Sequence, residues 1–214
     1  MAKSLGVAAL GSAFALLVAC GHSKPPETAP VPPARLGGVA GQALLITPVQ
    51  TLRVAPELGW TGLPKTSGLL AALDSALTDT LRERVRNPQW VFPEAVIASA
   101  KANPTYATDP HLLSIQPLKS PRLEIAQRLP EPLASQVRTM LALHEGRLIL
   151  IPVELRFEKP ATGMARAVLH LVLVDPRRSD VTWFGDVTGA ELASFTPNFI
   201  APLASRVADL FVDR

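Results

Sequence analysis

The stretch from Arg147 to Gly189 constrains this chain most, because its pattern admits strands and little else. Ile149, Ile151, Val153, Leu155 and Phe157 alternate with Glu154, Arg156 and Glu158, the two-residue period of a half-buried strand. Lys159-Pro160-Ala161-Thr162-Gly163 breaks the run. A second run, Met164 to Val174, puts Ala167, Leu169, Leu171 and Leu173 on one face and ends at Asp175-Pro176. A short polar turn leads into a third, Val181 to Val187. Such short turns cannot make parallel crossovers, so the three runs form an antiparallel meander.

The 214 residues suffice for one well-cored domain plus a tail. A formal charge of +3, with no Lys/Arg run among interleaved aromatics, gives no reason to expect a nucleic-acid partner. The single cysteine rules out an intrachain disulfide and any Cys-based metal site.

That cysteine closes a recognisable leader. Met1-Ala2-Lys3 is a short positive start, and Leu5 to Val18 is a mostly apolar run interrupted by Gly11 and Ser12. Crossing a bilayer takes about 20 apolar residues, so a secretory signal fits better than a membrane span. Leu17-Val18-Ala19-Cys20 resembles the bacterial lipobox. The resemblance implies cleavage by signal peptidase II between Ala19 and Cys20, a diacylglyceryl group on the thiol and a further fatty acyl chain on the new amino terminus. Gly21, not the Asp that marks inner-membrane retention, follows Cys20. The resemblance therefore implies anchoring at the periplasmic face of the outer membrane.

Pro25, Pro26, Pro30, Pro32, Pro33, Gly37, Gly38 and Gly41 fill the next segment, which carries no apolar period. Such a composition cannot offset the entropy of ordering, so residues 20–41 are expected to be the lipidated cysteine and an extended tether. Residues 1–19 are then the signal peptide and 42–214 a single domain.

Within that domain, Ala43 to Val54 is a strand interrupted by Pro48, whose missing N–H marks an edge, bulge or end. Thr66 or Ser67 can cap a helix with Leu70, Leu73, Leu77, Leu81 and Val85 on its apolar side, stopped by Asn87-Pro88. A brief strand over Gln89 to Pro93 precedes a helix from Glu94 to Ala102. Thr105 to Pro130 is irregular and proline-rich, with Leu112, Leu113, Ile115 and Leu118 to pack down. A third helix after Pro132 carries Leu133, Val137, Met140, Leu141 and His144 and is expected to close at Gly146. Thr196-Pro197 opens the last helix, with Ile200, Leu203, Val207, Leu210 and Phe211 inward. The fold class is α/β of the α+β kind: a mixed sheet ending in the meander, with helices on at least one face.

Gln89-Trp90-Val91-Phe92-Pro93-Glu94, Leu171 to Asp175 and Val181 to Gly189 resemble envelope proteins that share the TolB amino-terminal-like fold. These include the curli secretion lipoprotein and the lipoprotein activators of penicillin-binding proteins. The resemblance spans residues 43–212 and implies a domain that binds or positions other envelope proteins, with no catalytic residues to carry over. Arg177-Arg178-Ser179-Asp180 stands where the group has a Thr-Gly turn, and no stretch alternates long enough for a barrel hairpin.

No P-loop, nucleophile elbow or H-E-x-x-H motif occurs, and no cofactor or metal site is expected. If one sheet face takes Ile149, Ile151, Val153, Leu169, Leu171 and Leu173, the reverse carries Leu148, Leu150, Val168, Val172, Val174 and Phe184, with Pro152, Glu154, Arg156, Arg166 and His170 among them. Either a helix or the Thr105–Pro130 segment covers this reverse face, or it is an apolar patch for a partner protein. Binding a second copy in a ring-shaped complex is one alternative function. The alternative from another class is an envelope hydrolase using Asp109 and His111. For the anchor, Cys20→Ala is expected to abolish labelling by a radioactive fatty acid and to leave the leader uncleaved, as read on a gel. Equal labelling of both proteins sinks the lipobox reading.

Overall fold

The computed structural model describes residues 33–212. The signal segment, Ala19, Cys20 and the first part of the expected tether lie outside the described residues. Element order is α1 (Gly37–Ala40), β1 (Leu44–Ile46), β2 (Thr51–Val54), α2 (Thr66–Arg84), α3 (Pro93–Ala102), α4 (Leu133–Ala142), β3 (Leu148–Glu158), β4 (Ala165–Asp175), β5 (Asp180–Leu192) and α5 (Ile200–Ala208). No helix among the described residues is long and apolar enough to cross a membrane.

The meander stands as its alternation and breakers require: β3 pairs antiparallel with β4, and β4 with β5. On the far side of β3, β1 and β2 both pair with it in parallel, Leu44 to Ile46 against Leu148 to Leu150 and Thr51 to Val54 against Glu154 to Phe157. The sheet is mixed and the fold α+β. The break between β1 and β2 contains Pro48, and its Val49 N–H donates to Asp74 Oδ1 of α2 at 2.8 Å. The brief strand expected over Gln89 to Pro93 reduces to a single parallel bridge, Leu45 to Val91. Trp90 beside it is held by its indole N–H on Gln42 O (3.1 Å) and by the Phe211 ring edge.

Both faces of the sheet are covered. On the first, Leu148, Leu150, Leu155, Phe157, Leu169, Leu171 and Leu173 pack under α2 and α5, whose Leu69, Leu73, Leu77, Leu81, Leu203 and Val207 face them. α2 buries Leu69 where the sequence pointed to Leu70, because burial recurs every four residues back from Leu81. On the second, Ile149, Ile151, Val153, Val172, Val174 and Val181 pack against Val96 of α3, Leu133, Val137 and Met140 of α4, and Leu113, Ile115, Leu118, Leu123 and Leu129 of the irregular segment. That segment is therefore a lid on the sheet, not a solvated loop.

Three local expectations are corrected. α2 starts after Lys65 with no side-chain cap, so Thr66 and Ser67 are inside the helix. α4 ends at Ala142, and Gly146 does not cap it. A Cβ at Gly146 would lie 2.2 Å from Leu45 Cδ1, so glycine is there for close packing against β1. The expected tether also ends early: Leu36 is buried in the first core, its N–H on Leu210 O at 2.6 Å, and Trp183 Nε1 donates to Ala34 O at 3.0 Å.

Edge strand β5 is blunted along its length. Residues 126–129 pair with its start, through Ala126 N on Val181 O (2.7 Å) and Val181 N on Gln127 O (3.0 Å). Pro33 sits over Gly185, and the Arg206 guanidinium takes the Thr188 and Gly189 carbonyls. Covering an edge in this way prevents unplanned strand pairing.

Phe157 anchors the first core at 1% exposure, with edge contacts to Trp60, Phe195 and Phe199 at 5.0–5.8 Å between centroids. Phe157→Ala is expected to cost about 3–5 kcal/mol in urea unfolding, the range for emptying a buried aromatic site. A loss below about 1 kcal/mol contradicts that packing.

Candidate functional site

The second sheet face changes character halfway along β3. The β3–β4 register slips between Pro152 and Glu154, which oppose the adjacent residues Leu171 and His170 and leave Val153 as an extra residue. Before the bulge, Ile149, Ile151 and Val153 point to the second face; after it, Glu154, Arg156 and Glu158 do, opposite His170, Val168 and Arg166. Asp186 of β5 stands beside His170. The result is a charged furrow of about 750 Å³ over the last third of the sheet. Lys119, Ser120 and Pro121 form one wall and Pro33 and Gly185 another, and half-exposed Phe184 provides an apolar floor.

Two carboxylates organise the furrow. Glu154, only 8% exposed, takes Lys119 Nζ at 2.7 Å and the Thr51 hydroxyl at 3.4 Å on Oε1, while Arg53 Nε lies 3.5 Å from Oε2. Asp186 holds His170 Nδ1 at 2.6 Å and Arg156 Nη2 at 2.5 Å. Burial pushes the Asp186 carboxyl up, but the hydrogen bond from His170 and the charge of Arg156 outweigh it and hold the group below the usual carboxylate range. The second ring nitrogen of His170 faces Leu118 O at 3.1 Å. Both ring nitrogens of His170 thus face an oxygen, which fixes the orientation of the ring. Beside the furrow, Arg166 binds Glu158 through two nitrogens at 2.8 and 3.0 Å.

The bulge divides the residues the sequence placed on one partner face. Leu148 and Leu150 are buried on the first face under the helices; Arg156, Arg166, Val168, His170 and Val172 lie on the second. Val168 and Val172 are buried too, so no open apolar sheet is left for a partner. What remains accessible is the polar half. Sequence reasoning placed Glu154 on this face and missed Arg53, Lys119 and Asp186. Asp186 could have been found as a charge interrupting an otherwise apolar strand, but nothing local pairs Lys119 with Glu154 across 35 positions.

Asp109 and His111 do not converge on a buried cleft. Their side chains are 55% and 50% exposed, and both the His111 N–H and its Nδ1 meet the same Asp109 oxygen at 3.0 Å, a local turn. The His111 backbone N–H, followed by its ring, holds Asp109 below the usual range. His111 also borders a cavity of about 500 Å³ between α2 and α3, with Asp74, Ser75, Asp79 and Lys101. Among the described residues no group of three His, Cys, Asp or Glu could hold a metal ion.

No family model matches the sequence, and no curated protein matches it. Among solved structures, the LpoB C-terminal domain from Salmonella enterica is 11% identical, with 72% of this chain and 87% of that one covered and a TM-score of 0.38. The PelC dodecamer from Paraburkholderia phytofirmans is 13% identical, with 85% and 94% covered and a TM-score of 0.32. Lipoprotein GNA1162 from Neisseria meningitidis is 15% identical, with 78% and 94% covered and a TM-score of 0.35. These fall in the lipoprotein group that the three sequence motifs resemble. At such scores the superpositions are too loose to carry a functional argument, which rests on this chain's own furrow.

Asp74 provides a test of the α2 contact. Burial pushes its carboxyl up to about 6, against the Val49 N–H and the charge of His111, which pull it down. Between about pH 4 and 6 the folded state then binds more protons than the unfolded chain, so this group lowers stability as pH rises. Asp74→Asn keeps an acceptor for Val49 and loses the buried charge. It is expected to be more stable than wild type above pH 6, by on the order of 1 kcal/mol, and equal near pH 3.5. Parallel stability–pH curves for the two proteins contradict the assignment.

Proposed function

We propose that this chain is a lipid-anchored, non-enzymatic domain of the cell envelope that binds or positions a partner protein through the charged furrow. Acylated Cys20 would hold it at the periplasmic face of the outer membrane. The observation that carries the reading is the locked state of the furrow's ionisable groups. Asp186 is held by Arg156 and His170, Glu154 by Lys119 and Arg53, and His170 faces an oxygen on both nitrogens. Groups fixed in this way suit recognition, whereas proton transfer needs a group free to gain or lose its proton at a reacting atom. The hydrolase alternative rests on Asp109 and His111, and their exposed local turn lends it no support.

A photo-crosslinking residue placed at position 121, on the furrow wall, is expected to trap the partner in intact cells. One at Asp79, on the exposed side of α2, is not. The adduct from position 121 should fall at least tenfold in Arg53→Glu. Equal adducts from both positions would remove the furrow from the contact. Adducts of twice the chain's own mass would make the partner a second copy. Turnover of a wall or lipid compound by the purified chain, lost in His111→Ala, would refute the non-enzymatic half.

A further inference from the structure

We infer that the furrow takes the carboxylates of an acidic, extended peptide segment on the partner. This rests on the reading of the furrow as the contact surface and adds the chemistry of what fills it. Glu154 Oε1 accepts from Lys119 and Thr51 while Arg53 Nε lies 3.5 Å from Oε2, and each Asp186 oxygen has one nitrogen partner. The cations are not used up. Lys119 has three donors and one partner, Glu154. Arg53 has five, and only its Nε faces a carboxylate, at 3.5 Å; its side chain is 64% exposed at the furrow's rim. Arg156 is committed: Nη2 to Asp186 at 2.5 Å, with its buried Nε 3.8 Å from Glu158 Oε2.

The uncommitted charge at the furrow's rim is therefore cationic, on Arg53 and Lys119, so the complementary ligand is rich in acceptors and negatively charged. Arg53, Lys119 and Arg156 outnumber the furrow's carboxylates Glu154 and Asp186, while Glu158 lies alongside with Arg166 and Arg156. The shape of the furrow narrows the ligand further. Its walls are the proline-bearing segments at Pro33 and Pro121, and Phe184 lies in the floor. Gly185 keeps this side low, since a Cβ there would meet Pro33 Cβ at 2.5 Å and the Trp183 ring at 3.0 Å. An extended chain can lay an apolar side chain or proline ring on Phe184 while its carboxylates reach Arg53 on one side and Lys119 on the other.

The test uses the full chain in detergent and a fluorescein-labelled peptide of alternating Glu and Pro, with alternating Lys and Pro as control. Anisotropy is expected to rise with the Glu–Pro peptide alone, and the affinity should fall about tenfold between 50 and 300 mM salt as charges are screened. Arg53→Gln, at an exposed position that leaves the fold intact, should weaken binding at least fivefold. Glu154→Gln should tighten it severalfold, because it releases Lys119 and Arg53 to the ligand; a merely structural role for Glu154 predicts no gain.

Equal binding of the two peptides would overturn the inference, as would unchanged affinity in Arg53→Gln. So would displacement of the peptide by an equal concentration of inorganic phosphate, or preferential binding to phosphatidylglycerol vesicles. If cross-links at position 121 persist while the Glu–Pro peptide fails to bind, the ligand class is wrong and the furrow remains the contact. If both fail, the furrow itself is wrong.

Discussion

One extra residue in β3 sets the layout of this molecule. From Leu148 to Val153 the strand is buried on both faces, and side chains of either phase meet apolar partners. At Val153 the bulge shifts the phase by one. Beyond it, Leu155 and Phe157 join the helix-covered face, and Glu154, Arg156 and Glu158 turn toward the other. Without that shift, three charged side chains would point under α2 and α5, at a cost of several kcal/mol for each unpaired ion. The bulge thus divides the second face into an apolar half that the lid covers and a polar half that becomes the furrow.

The lid and the furrow depend on each other. Leu113, Ile115, Leu118, Leu123 and Leu129 bury the apolar half, and the middle of the same segment is tied down by polar contacts at the boundary. Lys119 reaches Glu154, and His170 donates to Leu118 O. Burying a carboxylate such as Glu154 gains little net stability, since desolvation offsets most of the attraction. What the pairs give is position: they fix Lys119 and Pro121 at one height above the strands and so define the furrow's wall. The opposite wall comes from residues 33–36, fastened by Trp183 and Leu210. The presumed end of the tether is therefore structural and stands next to the proposed contact surface.

Legibility in the sequence followed the range of the interactions. β4 and α3 were readable nearly to their ends, because period-two alternation and proline breakers act over a few residues, whereas β5 was readable at its start and runs on five residues past Val187 to Leu192. The Pro48 break between β1 and β2 was readable for the same reason. The pairing of both short strands with one edge of β3 was not, since it joins residues about a hundred positions apart. The furrow was half legible: Arg156, Arg166 and His170 stood out as polar groups in apolar strands, but their grouping with Leu148 and Leu150 assumed an unbroken strand. In Leu148-Ile149-Leu150-Ile151-Pro152-Val153 every residue is apolar, so the phase leaves no trace in the sequence.

The sequence by itself determined the elements and most of their local limits: three long strands, amphipathic helices and the proline break between β1 and β2. Each of these follows from chain stereochemistry and side-chain period within a few residues. Tertiary structure alone decided which face each half of β3 presents, that an irregular segment serves as a lid, and that Arg53, Lys119, Glu154 and Asp186 meet. Those outcomes depend on competition between burying apolar area and keeping charges paired across distant segments, and no local pattern records which arrangement wins.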